Sequence, residues 1–265
     1  MGADFVAGLP GAPPHPDAID LNADLGEGMD CDAAILACVS SANIACGGHA
    51  GDAESMRTAV WLALQHGVAI GAHPSFVDRE NFGRSEMHLP LDQVVDMISV
   101  QIEALRLIVR EEGAVLTHVK PHGALYNQAA RDPELAQAIV QAVAALDPGL
   151  RIFGLSGGAL IAAAQQAGLA VAAEVFADRR YQRDGSLASR NLPGATIEEQ
   201  PLALAQAMRL VRQGRVLALD GHDLSLHVDT VCLHGDGSHA MILAQLLKLT
   251  LQQQGIAVRA LGRAA

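Results

Sequence analysis

The segment SANIACGGHAGDAESMRTAVWLALQHGVAIGAH (residues 41–73) contains the pattern that decides the fold. Two short apolar runs, at 41–46 and 68–73, predict β-strands. The stretch between them, 53–66, has apolar residues near i, i+3, i+4 and i+7, which predicts a helix, and Gly67 follows it as a C-terminal stop. A strand, a helix and a second strand in this order form the crossover unit of a parallel sheet.

The same alternation continues along the rest of the chain. Further strands are predicted at 19–24, 114–120, 151–156, 170–176, 215–220, 230–234 and 256–261, and further helices at 91–112, 133–146, 158–167, 199–213 and 238–254. Six or seven such repeats predict an α/β fold with a parallel sheet covered by helices, either closed as a β/α barrel or open. The single-domain length and the lack of GxGxxG after the first strand favour the barrel. The run at 215–220 is alternatively a hairpin strand outside it.

Composition excludes several functional classes. The 265 residues are 50% hydrophobic, and 18 basic against 29 acidic residues leave a net charge of −11, which opposes binding to nucleic acid. No apolar run approaches the roughly 18 residues of a membrane span, and the first residues lack a secretion signal, so we expect a cytoplasmic protein without a membrane partner. Residues 1–17, dense in Pro and Gly, are predicted to be a flexible leader, and 18–265 a single catalytic domain.

Uncommon polar residues stand where the predicted strands end. Parallel-sheet enzymes build their sites from these ends and from the loops that follow them. The residues are Asp24, Glu27, Asn43, His49, Asp52, His73, His118, Lys120, His122, Glu174, Asp178, His234 and Asp236. Any one of them is equally well explained as a hydrogen-bonded group of the barrel interior. Together they predict one polar cavity at the mouth of the barrel.

The segment HVKPHGALYN (118–127) is the most informative of these. Because side chains alternate along a strand, His118, Lys120 and His122 share one face and point toward the same cavity. Lys120 is suited to binding a carboxylate or phosphate, to proton transfer, or to pairing with a barrel acid. The histidines are suited to metal binding or to acid/base work. Pro121 places them on extended chain, so the HxxxH spacing alone is weak evidence for metal.

Three further stretches are suited to binding anions. The Gly-rich turn CGGHAGD (46–52) precedes a helix and offers free backbone N–H groups. The loops 73–90 and 177–195 are longer than chain reversal requires and carry Arg79, Arg84, Arg179, Arg180, Arg183 and Arg190, which either collect an anionic substrate or are solvated surface groups. No GxxxxGK[ST] phosphate loop occurs, and Lys120 and Lys248 are the only lysines.

Six segments resemble, in order, the LamB/YcsF family, the A subunit of bacterial 5-oxoprolinase. They are DLNADLGEG, SANIACGGHAGD, VAIGAHPSFVDRENFGR, HVKPHGALYN, EVFADRRYQRDGSLASR and VCLHGDG, and the match extends over about 19–260. One departure is Gly48, where many members have Phe in CGFHAGD. The resemblance implies a distorted, roughly seven-stranded β/α barrel of the glycoside hydrolase and deacetylase type. It also implies ATP-dependent opening of 5-oxo-L-proline to L-glutamate together with separate B and C subunits.

The resemblance leads to a mechanistic hypothesis for a hydrolase acting on a cyclic amide C–N bond. Lys120, with Arg179 or Arg180, binds the substrate carboxylate or an activated phosphate. Asp24 or Glu174 is the general base on water, and His122 or His234 is the acid toward the ring nitrogen. Substrate binding is expected from Asn43, His49, Asp52, His73, Asp178, Arg179 and Asp236.

Cofactors and alternative functions follow from the same comparison. The missing nucleotide motif implies that ATP is shared with the partner subunits. Deacetylase relatives would make Asp24, His49 and His122 the ligands of a divalent metal, although a shared fold does not transfer its metal. Two other functions remain open: a stand-alone metal-dependent amidase or deacetylase, and a non-catalytic substrate-binding subunit.

Overall fold

A computed structural model describes residues 16–29, 31–233 and 240–262. In this part of the chain the strands are β1 (Ala18–Leu25), β2 (Ser41–Ala45), β3 (Ala69–His73), β4 (Leu116–Val119), β5 (Arg151–Leu155), β6 (Val171–Phe176), β7 (Arg215–Leu217), β8 (Asp223–Ser225), β9 (Thr230–Leu233) and β10 (Ala257–Val258). The helices are α1 (Asp32–Leu36), α2 (Ala53–His66), α3 (Leu91–Glu111), α4 (Gly123–Ala129), α5 (Pro133–Leu146), α6 (Ala159–Gln166), α7 (Gln200–Gln213) and α8 (Ala240–Gln253).

Seven of these strands close into a parallel barrel. Strands β1 to β6 lie side by side in chain order, and β9 pairs with β6 on one side and with β1 on the other. Helices surround the sheet, with α2 against α3, α3 against α5, α5 against α6 and α7 against α8. The predicted distorted, seven-stranded β/α barrel is therefore confirmed. All carboxyl ends of the seven strands lie at the same mouth of the barrel.

The departures from the predicted elements lie outside the barrel ring. The run at 215–220 forms β7, which pairs only with β8 in an antiparallel ribbon, as its hairpin alternative anticipates. The predicted strand 256–261 shortens to β10, which pairs in parallel with the first residues of β1 and does not take part in the closed ring. Helices α1 and α4 are not predicted because five and seven residues are too few to show a helical period.

Polar side chains occupy the barrel interior from the amino-terminal ends of the strands onward. The carboxylate of Asp20, which has no exposed surface, accepts hydrogen bonds from Ser40, Ser41 and Thr230 at 2.6, 2.7 and 2.5 Å. Burial raises the pKa of Asp20, and the three hydroxyl donors oppose that rise. The polar residues of β1 are thus satisfied by their neighbours on β2 and β9, which fixes the register of the closing strands.

Gly71 on β3 makes room for one of these interior groups. A Cβ atom at Gly71 would collide with the imidazole of His118 on the neighbouring strand β4. The imidazole in turn stacks on Phe153 of β5, with ring centroids 4.2 Å apart. The glycine is therefore required by a side chain that crosses the barrel interior, since any larger residue would displace that ring.

None of the helices in the described part of the chain combines the length and apolar character needed to cross a membrane. The predicted leader, 1–17, lies almost entirely outside the described residues. The predicted site residues His234 and Asp236 also lie outside them.

Candidate active site

A cavity of about 750 Å³ opens at the mouth of the barrel. Its volume is within the usual range for small-molecule sites. Its wall includes Asp24 and Glu27 from the end of β1, Lys120 from the end of β4, and Arg179 from the loop after β6. The carboxyl ends of several strands thus contribute polar side chains to one space, which is the position of the active site in enzymes built on parallel barrels.

Lys120 is the central charge of this space. Its ammonium nitrogen lies 2.9 Å from Asp24 Oδ1, 2.8 Å from Glu174 Oε1, 3.2 Å from Asn22 Oδ1 and 3.1 Å from Cys232 Sγ. Burial opposes the charge of Lys120, but the two carboxylates outweigh burial and hold its pKa well above the ordinary value. With four partners for three N–H groups, the ammonium has no donor left for a substrate anion.

Asp24 and Glu174 differ in their access to the cavity. Glu174 is fully buried behind Lys120, whereas Asp24 borders the cavity and is 7% exposed. Asp24 Oδ1 accepts from Lys120 and, at 2.8 Å, from Asn43 Nδ2. Its other oxygen, Oδ2, lies 3.3 Å from His73 Nε2. Of the two carboxylates predicted as general base, Asp24 is therefore the one that can meet a substrate.

Hydrogen bonds with Asp24 and His118 fix the orientation of the Asn43 side-chain amide. Because a carboxylate only accepts hydrogen bonds, the NH₂ group of Asn43 must face Asp24, and its Oδ1 then accepts from His118 Nε2 at 2.9 Å. Burial first, and then the charge of Lys120, lowers the pKa of His118 to about 3. His118 is consequently a buried neutral donor, with Thr117 Oγ1 2.7 Å from its Nδ1.

Beside Asp24, four side chains form a cluster of potential metal ligands. Glu27, His49, His73 and His122 each offer one donor atom, and these atoms all lie within 4.8 Å of one another. His49 Nε2 lies 2.9 Å from Glu27 Oε1, while its Nδ1 is buried without a hydrogen-bond partner. The rings of His49 and His122 stack in parallel, with centroids 3.6 Å apart.

The hydrogen bonds behind this cluster fix the tautomers of two histidines. His73 Nδ1 donates to the carbonyl of Lys120 at 2.7 Å, and His122 Nε2 donates to the carbonyl of Phe82 at 2.9 Å. In the neutral rings, the remaining nitrogens both carry lone pairs, yet they face each other at 2.9 Å. Burial lowers the pKa of His122 well below its ordinary value, which disfavours a proton between the rings.

The donor set fits a divalent transition-metal ion. Three imidazoles and one carboxylate are ligands that zinc and its neighbours accept. Hydrogen bonds from ligand histidines to backbone carbonyls are the usual support of such sites, because they orient the ring and leave the other nitrogen free. A cation would also relieve the repulsion between the facing lone pairs of His73 and His122.

A strained turn places the carbonyl that holds His122. Phe82 alone among the described non-glycine residues has a positive φ, 57°. Its carbonyl accepts from His122, and its ring packs edge-on against His49 and His122 at 5.3 and 5.4 Å between centroids. The turn is fixed by Asp78, which accepts from Asn81 and Ser85. Strain of this kind persists where the surroundings impose it, commonly at functional sites.

Other predicted site residues lie away from the cavity wall. Asp52 is exposed and caps α2, where it accepts from the backbone N–H of Ser55 at 2.9 Å, and these hydrogen bonds lower its pKa. Asn43 is fully buried and contacts Asp24 rather than the cavity. Asp178 is partly buried, and its backbone carbonyl accepts from Ile197 at 2.7 Å. Of the predicted anion binders Arg179 and Arg180, only Arg179 lines the cavity.

The predicted metal ligands overlap only partly with the observed cluster. His49 and His122 belong to it, Asp24 lies at its edge, and Glu27 and His73 are members that the sequence did not identify as ligands. The one signal for Glu27 is its position just after the first strand. At Gly48, the departure from the resembled motif, a Cβ atom would lie 2.5 Å from Gln101 Oε1 and from Ser75 Oγ, so these two side chains fill the space beside the glycine.

The parallel β/α barrel is a fold that this chain shares with a carbohydrate esterase. A family 4 carbohydrate esterase from Streptomyces lividans, solved in complex with acetate, shares the fold with a TM-score of 0.51 at 11% identity, over 95% of this chain and 98% of the esterase.

The chain belongs to the LamB/YcsF family, whose model matches residues 19–265. It is similar to a lactam utilization protein from Thermus thermophilus, with 45% identity and a TM-score of 0.86, over 92% of this chain and 99% of that protein. The family and fold resemblances drawn from the six sequence segments are confirmed.

The charge arrangement predicts unequal roles for the two lysines. We expect Lys120→Met to lower the free energy of unfolding by about 3–5 kcal/mol at pH 7, because it leaves Asp24 and Glu174 buried without a cation. The control Lys248→Met removes a less buried ammonium that donates to the carbonyl of Ala37, and should cost less than about 1 kcal/mol. Urea unfolding measures both.

The stability that Lys120 contributes to the folded state changes with pH in one direction. Because the folded-state pKa of Lys120 is raised, its contribution is complete below about pH 10, near the unfolded pKa, and is lost only as pH rises through the folded-state value. Equal and small losses in the two variants at pH 7 would contradict the assigned charge arrangement.

Proposed function

We propose that this chain hydrolyses the amide bond of a small lactam, as the A subunit of an ATP-dependent 5-oxoprolinase that opens 5-oxo-L-proline to L-glutamate. The observation that carries the proposal is the position of Asp24. One of its oxygens is held by Lys120 and Asn43, and the other borders both the cavity and the cluster of Glu27 and the histidines. The similarity to a lactam utilization protein supports the substrate class.

Asp24 has the geometry of a proton carrier for amide hydrolysis. As a carboxylate it accepts a proton from water while the water oxygen bonds to the carbonyl carbon of the lactam. When the ring C–N bond breaks, Asp24 returns that proton to the departing nitrogen, so that one group acts first as base and then as acid. Lys120, whose ammonium nitrogen lies 2.9 Å from Oδ1, balances the negative charge of Asp24.

Glu27, His49, His73 and His122 would hold a divalent metal next to Asp24. When bound, such an ion polarises the amide carbonyl as a Lewis acid. In this arrangement His122 serves as a ligand, in place of the acid role predicted for it, and the acid role passes to Asp24. Glu174 then positions Lys120, which it meets at 2.8 Å without reaching the cavity wall.

The dependence on ATP and on B and C subunits is part of the proposal. An unstrained five-membered lactam is a stable amide, so its carbonyl needs activation before water attacks, and phosphorylation of the amide oxygen would supply it. This sequence contains no GxxxxGK[ST] motif. We therefore assign phosphorylation to the partner subunits and the hydrolytic steps to the barrel cavity. Addition of one water and cleavage of the ring C–N bond leave the new carboxyl group as an acyl phosphate, and a second water releases inorganic phosphate and L-glutamate.

Reconstitution with B and C subunits tests the function. We expect release of glutamate from 5-oxo-L-proline only with ATP, and a fall of about 10²–10⁴-fold in kcat for Asp24→Asn, which cannot accept the proton. Asp52→Asn, an exposed helix cap outside the cavity, is the matched control and should retain wild-type turnover.

Other results of the same assay would contradict the proposal in different ways. Glutamate formed by the chain alone without ATP would indicate a stand-alone amidase. Wild-type kcat in Asp24→Asn would indicate a non-catalytic binding subunit.

Metal analysis tests the ligand set independently of turnover. We expect the purified chain, after dialysis against zinc, to retain about one equivalent, and His49→Ala or His73→Ala to lower its zinc affinity at least tenfold. His66→Ala, at the exposed end of α2, should leave zinc binding unchanged. Zinc affinity that is the same in all four proteins would exclude this cluster as the metal site.

A further inference from the structure

Arg179 is a buried cation that has no carboxylate in direct contact among the described residues. It is 4% exposed, its Nη2 donates to the carbonyl of Ala188 at 2.6 Å, and its Nε is buried without a hydrogen-bond partner. Burial and the nearby charge of Arg190 lower the pKa of Arg179 to about 10, against a smaller opposing effect of Asp178. The guanidinium therefore remains charged at pH 7.

Lys120, a second buried cation at the cavity, differs from Arg179 because it already has acidic partners. Lys120 contacts two carboxylates, and all its N–H groups are used. An added substrate carboxylate beside it would meet Asp24 and Glu174 and would be repelled. A negatively charged substrate therefore gains more from Arg179, where a charged donor is already desolvated and lacks an ion-pair partner.

The loop after β6 holds Arg179 in a fixed position. The backbone of Arg180 pairs with Ala195 and with Ala188, at 2.8 and 2.9 Å, which folds the loop back on itself. Gln206 of α7 donates to the carbonyl of Arg179 at 2.8 Å. The fully buried Tyr181 anchors the loop to the barrel, because its hydroxyl accepts from the backbone N–H of Phe176 at 2.8 Å. The guanidinium is thus placed before any substrate arrives.

We propose that Arg179 binds the carboxylate of the substrate and makes this site select lactams that carry an anionic substituent. The inference rests on the proposed lactam hydrolysis and adds its specificity determinant. A guanidinium meets a carboxylate through parallel N–H groups, which also sets the direction of the ring. Arg190 also lines the cavity and adds positive electrostatic potential there, but it does not replace the contact that the buried guanidinium of Arg179 provides.

Binding of two lactams to the full-length chain tests the proposal. The probes are 5-oxo-L-proline and 2-pyrrolidinone, which has the same ring without the carboxylate, and titration calorimetry measures their Kd values. We expect the wild type to prefer 5-oxo-L-proline by about 100-fold, a preference that Arg179→Gln reduces to within about threefold. Arg180→Gln, a neighbouring arginine outside the cavity wall, should retain the wild-type preference.

The ratio of the two Kd values separates recognition from folding, because both ligands are measured on the same protein preparation. Arg179→Lys, which keeps the charge but loses the paired N–H groups, should give an intermediate ratio. A wild type without preference, or an Arg179→Gln variant that keeps the full preference, would overturn the proposal.

The same titration distinguishes this inference from the proposed function. Asp24→Asn should keep the preference for 5-oxo-L-proline, since it alters the hydrolytic group and leaves Arg179 in place. If the reconstituted enzyme fails to hydrolyse the lactam while the preference persists, the function is wrong and the anion site stands. If hydrolysis proceeds without the preference, the reverse holds.

Discussion

The ion pairs of Lys120 with Asp24 and Glu174 determine the arrangement of the rest of the site. They join the ends of β4, β1 and β6 through groups that are almost completely buried. Buried charges are costly unless every partner is present, so each residue constrains the other two. As a result, the two carboxylate oxygens of Asp24 have different surroundings. Lys120 and Asn43 occupy one oxygen of Asp24, and the other faces the cavity and His73.

The proposed acid/base group, Asp24, and the candidate metal ligands are coupled through backbone as well as side chains. His73 donates to the carbonyl of Lys120, so the residue that neutralises Asp24 also orients a ring of the donor cluster. His122 depends in the same way on Phe82, whose strained backbone is held by the turn around Asp78. A substitution in that turn would therefore alter the orientation of His122 through the backbone of Phe82. The barrel supplies the scaffold, and the proposed chemistry depends on these particular groups.

Much of the fold and part of the site could be predicted from the sequence. Apolar periodicity places the strands, and polar residues at strand ends identify Asp24, Glu27, His73, Lys120 and His122 as members of one cavity. The role of Glu27 as a potential metal ligand is not predicted. Glu27 follows β1 in a turn without periodicity, so its distance to the histidines depends on tertiary folding. An acidic residue just before a helix can be either a helix cap or a ligand, and the sequence alone does not distinguish these roles for Asp52. In the structure Asp52 caps α2.

Nuclear magnetic resonance of the chain labelled with ¹⁵N at the lysine side chains tests the central claim most directly, because only two lysine signals arise and Lys120→Met assigns them. The account predicts that the Lys120 nitrogen remains an ammonium throughout neutral pH and titrates above about 10.4, with its signal shifted when Asp24 is replaced by Asn. A Lys120 signal that titrates near or below neutrality, or that is unaffected by Asp24→Asn, would contradict it.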